Sequence, residues 1–574
     1  MGKEVILVYC EMASPEEFSI LSVFPIGLFS ISAFLNENGY NSGVWSGKSS
    51  QWEEFLGVLK REKPQIIGFY IAYDNFYLVK DWCRILKKDM PELLLVAGGP
   101  QTVVFDKEDF EESLVDIAVI GEGEVTMLEI CQWFLDGYGR LSDIKGIRYL
   151  EDGKVKETSP RPIIQNLSAL PFPRSEDALY PCKLHVYPVI SGRGCPFSCT
   201  FCYEGAIKPK RYRFRSVRHL ADELEYAFSR HPIRYLVFVD DTFSLNRKRL
   251  RQITDVIKNL RSCYDFIWFC EAHVRSVLAY KEEFLDMLSA GLHRVQIGIE
   301  SGDNKVLSYY KKKTTKELIE QAVNFLTSTQ VGFCNVNGNF ILGGPFETKS
   351  SLSASMELAE RLLKMAPGKI DIQPIFLAFY PGTPITLSPE KFGLNPLKKD
   401  LKGKFIWLSM AEPVAITDDL SLEDLVKAYN EIRSLIHNTI KALLDSIKRT
   451  NLYLLFYRYF HYKAHSVWID FIKRYRPQIW LYFWHLFEGK FESILHSKVN
   501  SEEVLQMKPY KIFSSPRLKE YSVYLSNEEL LIFNYATGKL TVEEIAKFIC
   551  FDKEKVVKIL AELERNFCIV FLKN

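Results

Sequence analysis

The 574-residue chain lacks several features that would assign it to a membrane or to a highly charged partner. It contains no uninterrupted run of about 18 apolar residues, so a transmembrane helix is not expected. Its first residues show no signal-peptide pattern and lead directly into an apolar, strand-forming run. Basic and acidic residues nearly balance, 73 against 71, for a net charge of +2. The chain as a whole is therefore not expected to attract nucleic acid.

The twelve cysteines also lack a paired framework. Nine of them are scattered along the chain, which indicates a reducing cytoplasm rather than disulfides. The other three, Cys195, Cys199 and Cys202, follow the spacing C-x3-C-x2-C. Three thiolates so close in sequence can bind one iron–sulfur cluster and leave one iron open to another ligand. A zinc knuckle short of its fourth ligand and three unrelated thiols are the alternatives.

This cysteine spacing, with Phe201 directly before the last cysteine, resembles that of the radical S-adenosylmethionine (SAM) enzymes. The resemblance implies a [4Fe-4S] cluster held by Cys195, Cys199 and Cys202. It also implies that SAM chelates the open iron and is cleaved to a 5′-deoxyadenosyl radical, with an electron donor such as flavodoxin or ferredoxin. Phe201 is predicted to be a packing residue.

Residues 1–148 alternate apolar strands with helical segments, which predicts a doubly wound α/β domain with a parallel sheet. Such sheets bind ligands at the carboxyl ends of their strands. Two predicted strands end there in Gly98-Gly99-Pro100 and Gly121-Glu122-Gly123-Glu124, where the backbone can approach a flat ligand closely. These loops resemble those of the cobalamin-binding domain found ahead of radical SAM domains. The resemblance implies that both loops bind cobalamin.

This first domain contains no histidine, since none precedes His185. Many cobalamin domains supply the lower cobalt ligand from a histidine in a D-x-H-x-x-G loop, and this domain cannot do so. The lower face of cobalamin is therefore expected to be open, or to meet another group or water. A flavodoxin-like domain without a cofactor is the alternative.

A proline-rich linker is predicted over residues 149–185, and an α/β barrel over residues 186–390. Each predicted strand of the second range ends in polar or glycine residues, as in barrels whose active face lies at the strand carboxyl ends. The order of these segments resembles the partial (β/α)6 barrel of radical SAM enzymes. The resemblance places five residues in the site for SAM or substrate: Glu300, Ser301, Asp241, Glu271 and Arg275.

Other roles are open for some polar residues of the barrel. Helix N-capping is the alternative for Asp240 and Asp241, since a helical segment begins soon after Phe243. His273 and His293 lie near predicted strand ends, and for both a structural role is favoured over a catalytic one.

The C-terminal third contains two further predicted domains. Residues 391–511 form a helical subdomain, and residues 450–495 within it are rich in aromatic and basic side chains. Such a stretch could lie on a membrane surface or stack on single-stranded nucleic acid, but packing onto the barrel is favoured because the net charge is near zero. Residues 512–574 form a small winged helix that resembles the peptide-recognition domain of peptide-modifying gene clusters. A DNA-binding winged helix and a structural cap are alternatives.

These observations predict a cytoplasmic, cobalamin-dependent radical SAM enzyme. The reaction favoured is methyl transfer to an unactivated carbon of a small molecule or of a peptide in natural-product biosynthesis, with no nucleic-acid partner. Two alternatives stay open, namely cobalamin-assisted rearrangement or cyclisation, and a cobalamin- or cluster-sensing regulator that binds DNA.

Overall fold

The chain folds into two compact units. Unit 1 comprises Met1–Ala359 and Ile372–Ser434, and unit 2 comprises Glu360–Asp371 and Leu435–Asn574. The computed structural model describes residues 2–11, 24–72, 75–206, 212–380, 382–397, 412–488, 491–493, 495, 501–512, 517–518, 521–522 and 525–572. Among these residues, no helix combines the length and apolarity needed to span a bilayer.

The N-terminal part of unit 1 is one sheet with helices packed against it. Its strands are β1 (Val5–Glu11), β2 (Ser42–Lys48), β3 (Ile66–Tyr70), β4 (Leu94–Gly98), β5 (Ile117–Val119), β6 (Ile147–Glu151) and β7 (Lys154–Glu157). Its helices are α1 (Ile26–Glu37), α2 (Trp52–Glu62), α3 (Phe76–Asp89), α4 (Lys107–Ser113) and α5 (Gly123–Phe134). The strand order is β2-β1-β3-β4-β5-β6-β7, parallel as far as β5 and antiparallel beyond it.

The strand order places a topological switch point between β1 and β3, because β1 lies between β2 and β3. The carboxyl ends of β1, β3 and β4 therefore form the edge at which such sheets bind ligands. Two features of this sheet were not predicted. The run that forms β2 is rich in serine and glycine, and the hairpin β6–β7 continues the sheet beyond residue 148 into the predicted linker.

The chain that follows this sheet repeats the alternation of strand and helix, and it belongs to unit 1 except for Glu360–Asp371. Its strands are β8 (Val186–Val189), β9 (Gly192–Arg193), β10 (Arg213–Phe214), β11 (Tyr235–Phe238), β12 (Ile267–Glu271), β13 (Leu292–Glu300), β14 (Asn335–Leu342) and β15 (Ile370–Phe376). Its helices are α6 (Tyr203–Ala206), α7 (Val217–Arg230), α8 (Arg247–Arg261), α9 (Val274–Ala279), α10 (Lys281–Ser289), α11 (Asn304–Tyr309), α12 (Lys316–Ser328) and α13 (Lys349–Met365).

Six of these strands form one sheet in the order β15-β14-β13-β12-β11-β8, and the pairs from β8 to β14 are parallel. Each strand therefore lies beside the next one of the sheet along the chain, which is the arrangement of a partial β/α barrel. Beyond it lie α14 (Pro384–Leu387), β16 (Leu394–Pro396), β17 (Ala415–Thr417) and α15 (Leu422–Leu443).

Unit 2 is built from short helices and two small antiparallel sheets, one of three strands and one of two, in the residues that the structure describes. Its helices are α16 (Arg449–Tyr462), α17 (Val467–Tyr475), α18 (Pro477–Glu488), α19 (Ser501–Gln506), α20 (Asn527–Tyr535), α21 (Val542–Phe548) and α22 (Lys553–Arg565). Its strands are β18 (Phe491–Glu492), β19 (Lys508–Lys511), β20 (Arg517–Leu518), β21 (Tyr521–Ser522) and β22 (Ile569–Leu572). The sheet order β18-β22-β19 places the last strand of the chain in the middle.

The aromatic residues of this region supply the interior of unit 2. Phe456 and Phe483 are fully buried and stack with ring centroids 4.4 Å apart. Trp468 is also fully buried and donates its indole N–H to the Ile370 carbonyl at 2.7 Å. These contacts lie within unit 2, so the packing of residues 450–495 onto the barrel stays a prediction.

Candidate active site

The cysteine motif lies on the loop that follows β9 in unit 1. Cys195, Cys199 and Cys202 are all half-buried. Burial, together with the neighbouring charges of Cys202 and Cys199, raises the pKa of Cys195 to about 12, so the three thiols share one electrostatic neighbourhood. Within the described ranges, no group of three or more histidine, cysteine or carboxylate side chains is arranged to hold a metal ion.

Two aspartates at the end of β11 hold the backbone that leads into the cysteine loop. Asp240 accepts hydrogen bonds from the Ser191 N–H at 3.1 Å and from its hydroxyl at 2.9 Å. Asp241 accepts one from the Gly194 N–H at 3.0 Å. The following helix, α8, is capped instead by Asn246. The N-capping alternative for the two aspartates is therefore wrong, and their carboxylates position the loop.

The far side of the cysteine loop is fixed through Thr200. Its N–H donates to the Tyr310 carbonyl at 3.1 Å and its hydroxyl to the Tyr309 carbonyl at 3.0 Å, while its own carbonyl accepts from Ile385 at 3.3 Å. The Phe201 ring meets the Tyr310 ring edge-on, with centroids 4.8 Å apart. This contact agrees with the interpretation of Phe201 as a packing residue.

Glu300 and Ser301, the predicted SAM ligands, end β13 in different environments. Glu300 takes a positive φ of 61° and forms an ion pair with Lys312. Gly298 makes room for this pair, because a Cβ there would collide with the Lys312 side chain. Ser301 is fully buried, and its hydroxyl accepts from the Asp303 N–H at 3.1 Å. Lys312 was not found from the sequence, since a lysine in a loop carries no local signal.

Three carboxylates from successive strand ends influence one another here. Burial and the charges of Asp241 and Glu300 together raise the pKa of Glu271 to about 7, although the charge of Lys312 lowers it. The Gln296 amide donates to Glu271 at 3.1 Å. A buried acidic group of this kind favours a cationic ligand such as the sulfonium and ammonium groups of SAM. The residues present therefore fit SAM.

The remaining predicted polar residue, Arg275, is exposed on α9. Its N–H donates to Nδ1 of His273 at 3.2 Å, and Nε2 of His273 in turn bonds to the Lys312 carbonyl at 2.9 Å. His273 also stacks on Phe197 of the cysteine loop at 4.4 Å. His293 lies at the amino end of β13, opposite the cysteine loop, where its ring stacks on Phe333. Both histidines have structural contacts, as favoured from the sequence.

The glycine-rich loop after β4 has the backbone that a close ligand requires. Gly99 takes a φ of 106°, and a Cβ there would lie 2.6 Å from the Ile71 carbonyl oxygen. A Cβ at Gly98 would meet nothing within 4 Å, so the backbone there borders open space. Pro100 begins a short 3-10 helix. Gln101 follows it, fully buried, and neither its amide nitrogen nor its oxygen has a hydrogen-bond partner.

An orphaned buried amide beside an open glycine backbone fits the carboxamide-rich rim of a corrin, so the residues present fit cobalamin. Sequence reasoning missed Gln101, because a polar residue after Gly-Gly-Pro is unremarkable in a turn.

The two glycines of the second loop have different surroundings. Gly121 takes a φ of 89° and borders open space, whereas a Cβ at Gly123 would contact the Ile31 side chain of α1 at 2.7 Å.

The two glutamates of the second loop pair with arginines that flank the cysteine motif. Glu122 accepts from Arg193 and Arg213 at 3.0 Å, and from the Ile164 N–H at 2.7 Å. Glu124 accepts from Arg193 at 2.5 Å and from the Ser30 hydroxyl at 2.9 Å. Arg193 lies two residues before Cys195. The loop of the first sheet thus contacts the segment that enters the cysteine motif, while a direct role of these glutamates in cobalamin binding stays a prediction.

Two family descriptions match the parts of the chain in which these features lie. The B12 binding domain matches residues 21–131, and the Radical SAM superfamily matches residues 189–359. An uncharacterized methyltransferase of Pyrococcus horikoshii, PH0819, is 30% identical over 369 residues, which cover 62% of this chain and 77% of that protein. The chain belongs to the cobalamin-binding radical SAM enzymes. Its cofactors are accordingly a [4Fe-4S] cluster, SAM and cobalamin.

Other relatives of this family differ in the reaction that their names describe. An anaerobic magnesium-protoporphyrin IX monomethyl ester cyclase of Cereibacter sphaeroides is 23% identical, over 54% of this chain and 51% of that protein. Among solved structures, TsrM of Kitasatospora setae with cobalamin and [4Fe-4S] cluster bound superposes with a TM-score of 0.61 at 16% identity, over 83% of this chain and 98% of that one.

The radical enzyme OxsB superposes with a TM-score of 0.60 at 16% identity, over 98% of this chain and 80% of that one. The two likenesses to solved structures concern the fold, and they confirm the predicted fold class. The limits predicted for the individual domains stay predictions.

Proposed function

We propose that this cobalamin-binding radical SAM enzyme transfers a methyl group to an unactivated carbon. The observation that carries the proposal is the pairing of Arg193 with Glu122 and Glu124, because it sets the glycine loop of the cobalamin domain against the cysteine loop. The methyltransferase name of PH0819 supports the reaction class.

When bound, the three cofactors supply the abstraction of a substrate hydrogen and the methyl group that replaces it. The role of the protein is to hold these cofactors in place. Cys195, Cys199 and Cys202 would bind the cluster, and Asp240 holds the backbone before them. Glu271 and Glu300 would face the cationic groups of SAM. Gly99 and Gln101 would meet the corrin.

The proposal is tested by anaerobic reconstitution with iron, sulfide and cobalamin, followed by assays of SAM cleavage with candidate substrates. We expect 5′-deoxyadenosine and S-adenosylhomocysteine to form together. Cys199→Ala should abolish the cluster, whereas Cys263→Ala, at an exposed cysteine outside the motif, should leave iron content unchanged. A fully occupied cluster in the first variant would refute the ligand assignment.

Cyclisation is the second candidate, because several relatives carry a cyclase name. The same assay separates the two reactions. Methyl transfer consumes the methyl group of SAM and yields S-adenosylhomocysteine, whereas cyclisation yields 5′-deoxyadenosine without it. A product of unchanged carbon count would favour cyclisation.

A DNA-binding regulator has little support from the winged helix. Three of the four basic residues of its third helix, α22, form ion pairs with carboxylates: Lys553 pairs with Glu543, Lys555 with Glu528, and Arg565 with Glu562. DNA-reading helices present unpaired basic side chains to phosphates. Tight, salt-resistant binding to genomic fragments in a gel shift would restore the regulator hypothesis.

A peptide substrate rests on the resemblance of residues 512–574 to peptide-recognition domains. Strand addition needs a free sheet edge. The outer edge of β19 is already covered, since Lys511 donates to the Ala536 carbonyl at 2.7 Å and Gly538 to the Pro509 carbonyl at 2.8 Å. A peptide would therefore have to add beside the two-residue strand β18. Equal kcat/KM for a peptide and for its free target amino acid would count against peptide recognition.

Flavodoxin or ferredoxin is the expected electron donor, and the cytoplasm the expected compartment, because the scattered thiols and an oxygen-sensitive cluster need reducing surroundings. Support of turnover by reduced flavodoxin or ferredoxin in place of a chemical reductant would test the donor.

A further inference from the structure

A cationic cleft of about 470 Å³ opens in unit 1 where α7 and α8 begin. Its charged lining consists of Arg215, Arg218, Lys248 and Arg249, and no carboxylate is among the described residues that line it. Arg215 is balanced by an ion pair with Glu223. Arg218 and Lys248 are exposed and form no ion pair with any residue in the described ranges. The cleft therefore carries an uncompensated positive charge.

The backbone adds to this charge, because two helices of 14 and 15 residues present their amino ends to the cleft. Ser216 caps α7 and Asn246 caps α8, and each cap satisfies only one of the free N–H groups of its helix. The remaining N–H groups and the positive ends of both helix dipoles favour an anion at this place.

Arg249 provides a buried donor at the same place. Its side chain is only 5% exposed, and its two terminal nitrogens donate to the Arg215 carbonyl at 2.6 Å and the Ser191 carbonyl at 2.8 Å. Its Nε is buried and makes no hydrogen bond, and Tyr212 and Asp240 act on its charge from within the fold. The two fixed bonds hold the guanidinium in the wall of the cleft, where it can strengthen the binding of an anion held by Arg218 and Lys248.

Phe214 gives the cleft an apolar surface. Its side chain is 48% exposed, and the Arg249 guanidinium lies 4.8 Å from its ring centroid. An inorganic ion would make no apolar contact with the Phe214 ring, whereas the organic part of a phosphate ester would pack against it. The size of the cleft is that of a small-molecule site.

We propose that this cleft binds the phosphoryl group of an organic phosphate, and that the substrate of the enzyme carries it. The second part rests on the proposed function. Arg249 bonds to the carbonyl of Ser191, four residues before Cys195, so a phosphoryl group held here anchors the substrate beside the loop that enters the cysteine motif.

The test measures binding rather than turnover, using the full chain with its cluster reconstituted. Phenyl phosphate is titrated calorimetrically, with inorganic phosphate and phenol as the separate halves of the ligand. We expect phenyl phosphate to bind more tightly than either half. The double variant R218A/K248A should bind it roughly tenfold more weakly or worse, because two charged contacts are lost.

Two control variants test whether a loss of binding comes from the loss of the two positive charges in the cleft. R218K/K248R preserves the charges and should retain binding. K281A removes an exposed lysine from the start of another helix of unit 1, α10, and should bind as the wild type does. The proposal is overturned if the wild type does not bind phenyl phosphate, or if R218A/K248A binds it equally well. Because no step of methyl transfer is measured, failure of the proposed function would leave this result unaffected.

Discussion

At the scale of single residues, Asp240 connects the sheet to the cysteine loop. The carboxylate is 2% exposed, and burial raises its pKa to about 7. It nevertheless accepts both the N–H and the hydroxyl of Ser191, so its removal leaves two buried donors without a partner. The loop before Cys195 would then lose one of its two aspartate anchors.

We therefore expect Asp240→Ala to cost about 1–3 kcal/mol of stability and to lower the iron content after reconstitution. Iron and sulfide per chain, with thermal unfolding, measure both effects. Asp255→Ala on the exposed side of α8 is the control and should change neither. Wild-type iron content in Asp240→Ala would contradict the anchoring role.

Gln101 offers a test at the same scale, because its buried amide is unsatisfied in the absence of a ligand. Replacement by leucine removes that cost, so the melting temperature of the cobalamin-free protein should stay the same or rise. The affinity for cobalamin should fall by roughly tenfold, since a hydrogen bond from a buried group is lost. Equilibrium dialysis and the absorption spectrum of bound cobalamin measure the affinity.

Gln65→Leu is the matched control for Gln101→Leu. Gln65 is exposed at the amino edge of the same sheet, just before β3, away from the predicted ligand edge. Unchanged cobalamin affinity in Gln101→Leu would remove Gln101 from the corrin site.

At the scale of elements, the turn between β5 and α5 is fastened to β9 and β10 by Glu122 with Arg193 and Arg213. Burial works against ionisation of Glu122, but the hydrogen bond from Arg213 and the charge of Arg193 hold its pKa below the ordinary value of 4.5. The carboxylate and guanidinium groups are only 11–21% exposed, so solvent screens the network little.

Glu122→Ala should lower the free energy of unfolding of unit 1 by about 2 kcal/mol or more, because two guanidinium groups lose a partner. Because the folded pKa is depressed, this stabilisation is present above the ordinary pKa and is lost as the pH falls below it. The difference in the free energy of unfolding between wild type and Glu122→Ala should therefore be largest at neutral pH and smaller in acid. Denaturant unfolding as a function of pH measures it.

The control for Glu122→Ala is Asp143→Ala, which breaks an exposed pair with Arg140 and should cost well under about 1 kcal/mol. If the loss of stability in Glu122→Ala did not change with pH, or only equalled that of Asp143→Ala, the ion pairs of Glu122 with Arg193 and Arg213 would not have the stabilising role inferred here.

At the scale of the whole molecule, the chain divides into two compact units. In unit 2, the Tyr482 hydroxyl donates to Glu564 at 2.7 Å, and burial raises the pKa of that carboxyl. The helices of residues 449–488 therefore contact the C-terminal helices through Tyr482 and Glu564, and β18 and β19 pair with β22 across the predicted limit at residue 511.

Tyr482→Phe should destabilise unit 2 by about 1–3 kcal/mol, because Glu564 loses its buried donor. Iron content and cobalamin binding, which belong to unit 1, should not change. Calorimetry measures the stability, and assays of iron and bound cobalamin measure cofactor binding. Tyr138→Phe, at an exposed tyrosine, is the control. Loss of iron in Tyr482→Phe would mean that the two units do not fold independently.

Features that depend on short stretches of chain could be predicted from the sequence. The cysteine spacing, the glycine loops after β4 and β5 and the apolar runs of the parallel strands are local patterns. So are the capping boxes of α20 and α21, in which Ser526 pairs with Glu529 and Thr541 with Glu544. The absence of a histidine before His185 is likewise a fact of the sequence alone.

The roles of the charged residues were decided by tertiary structure, because each depends on a partner distant in the chain. Glu122 was predicted from its loop, yet Arg193 and Arg213 reach it only when the two sheets of unit 1 lie together. Asp240 resembled a helix cap until the fold brought Ser191 to it. The family and its cofactors thus follow from local sequence, whereas the partners of each buried charge follow from the fold, since a long-range ion pair leaves no periodic signal.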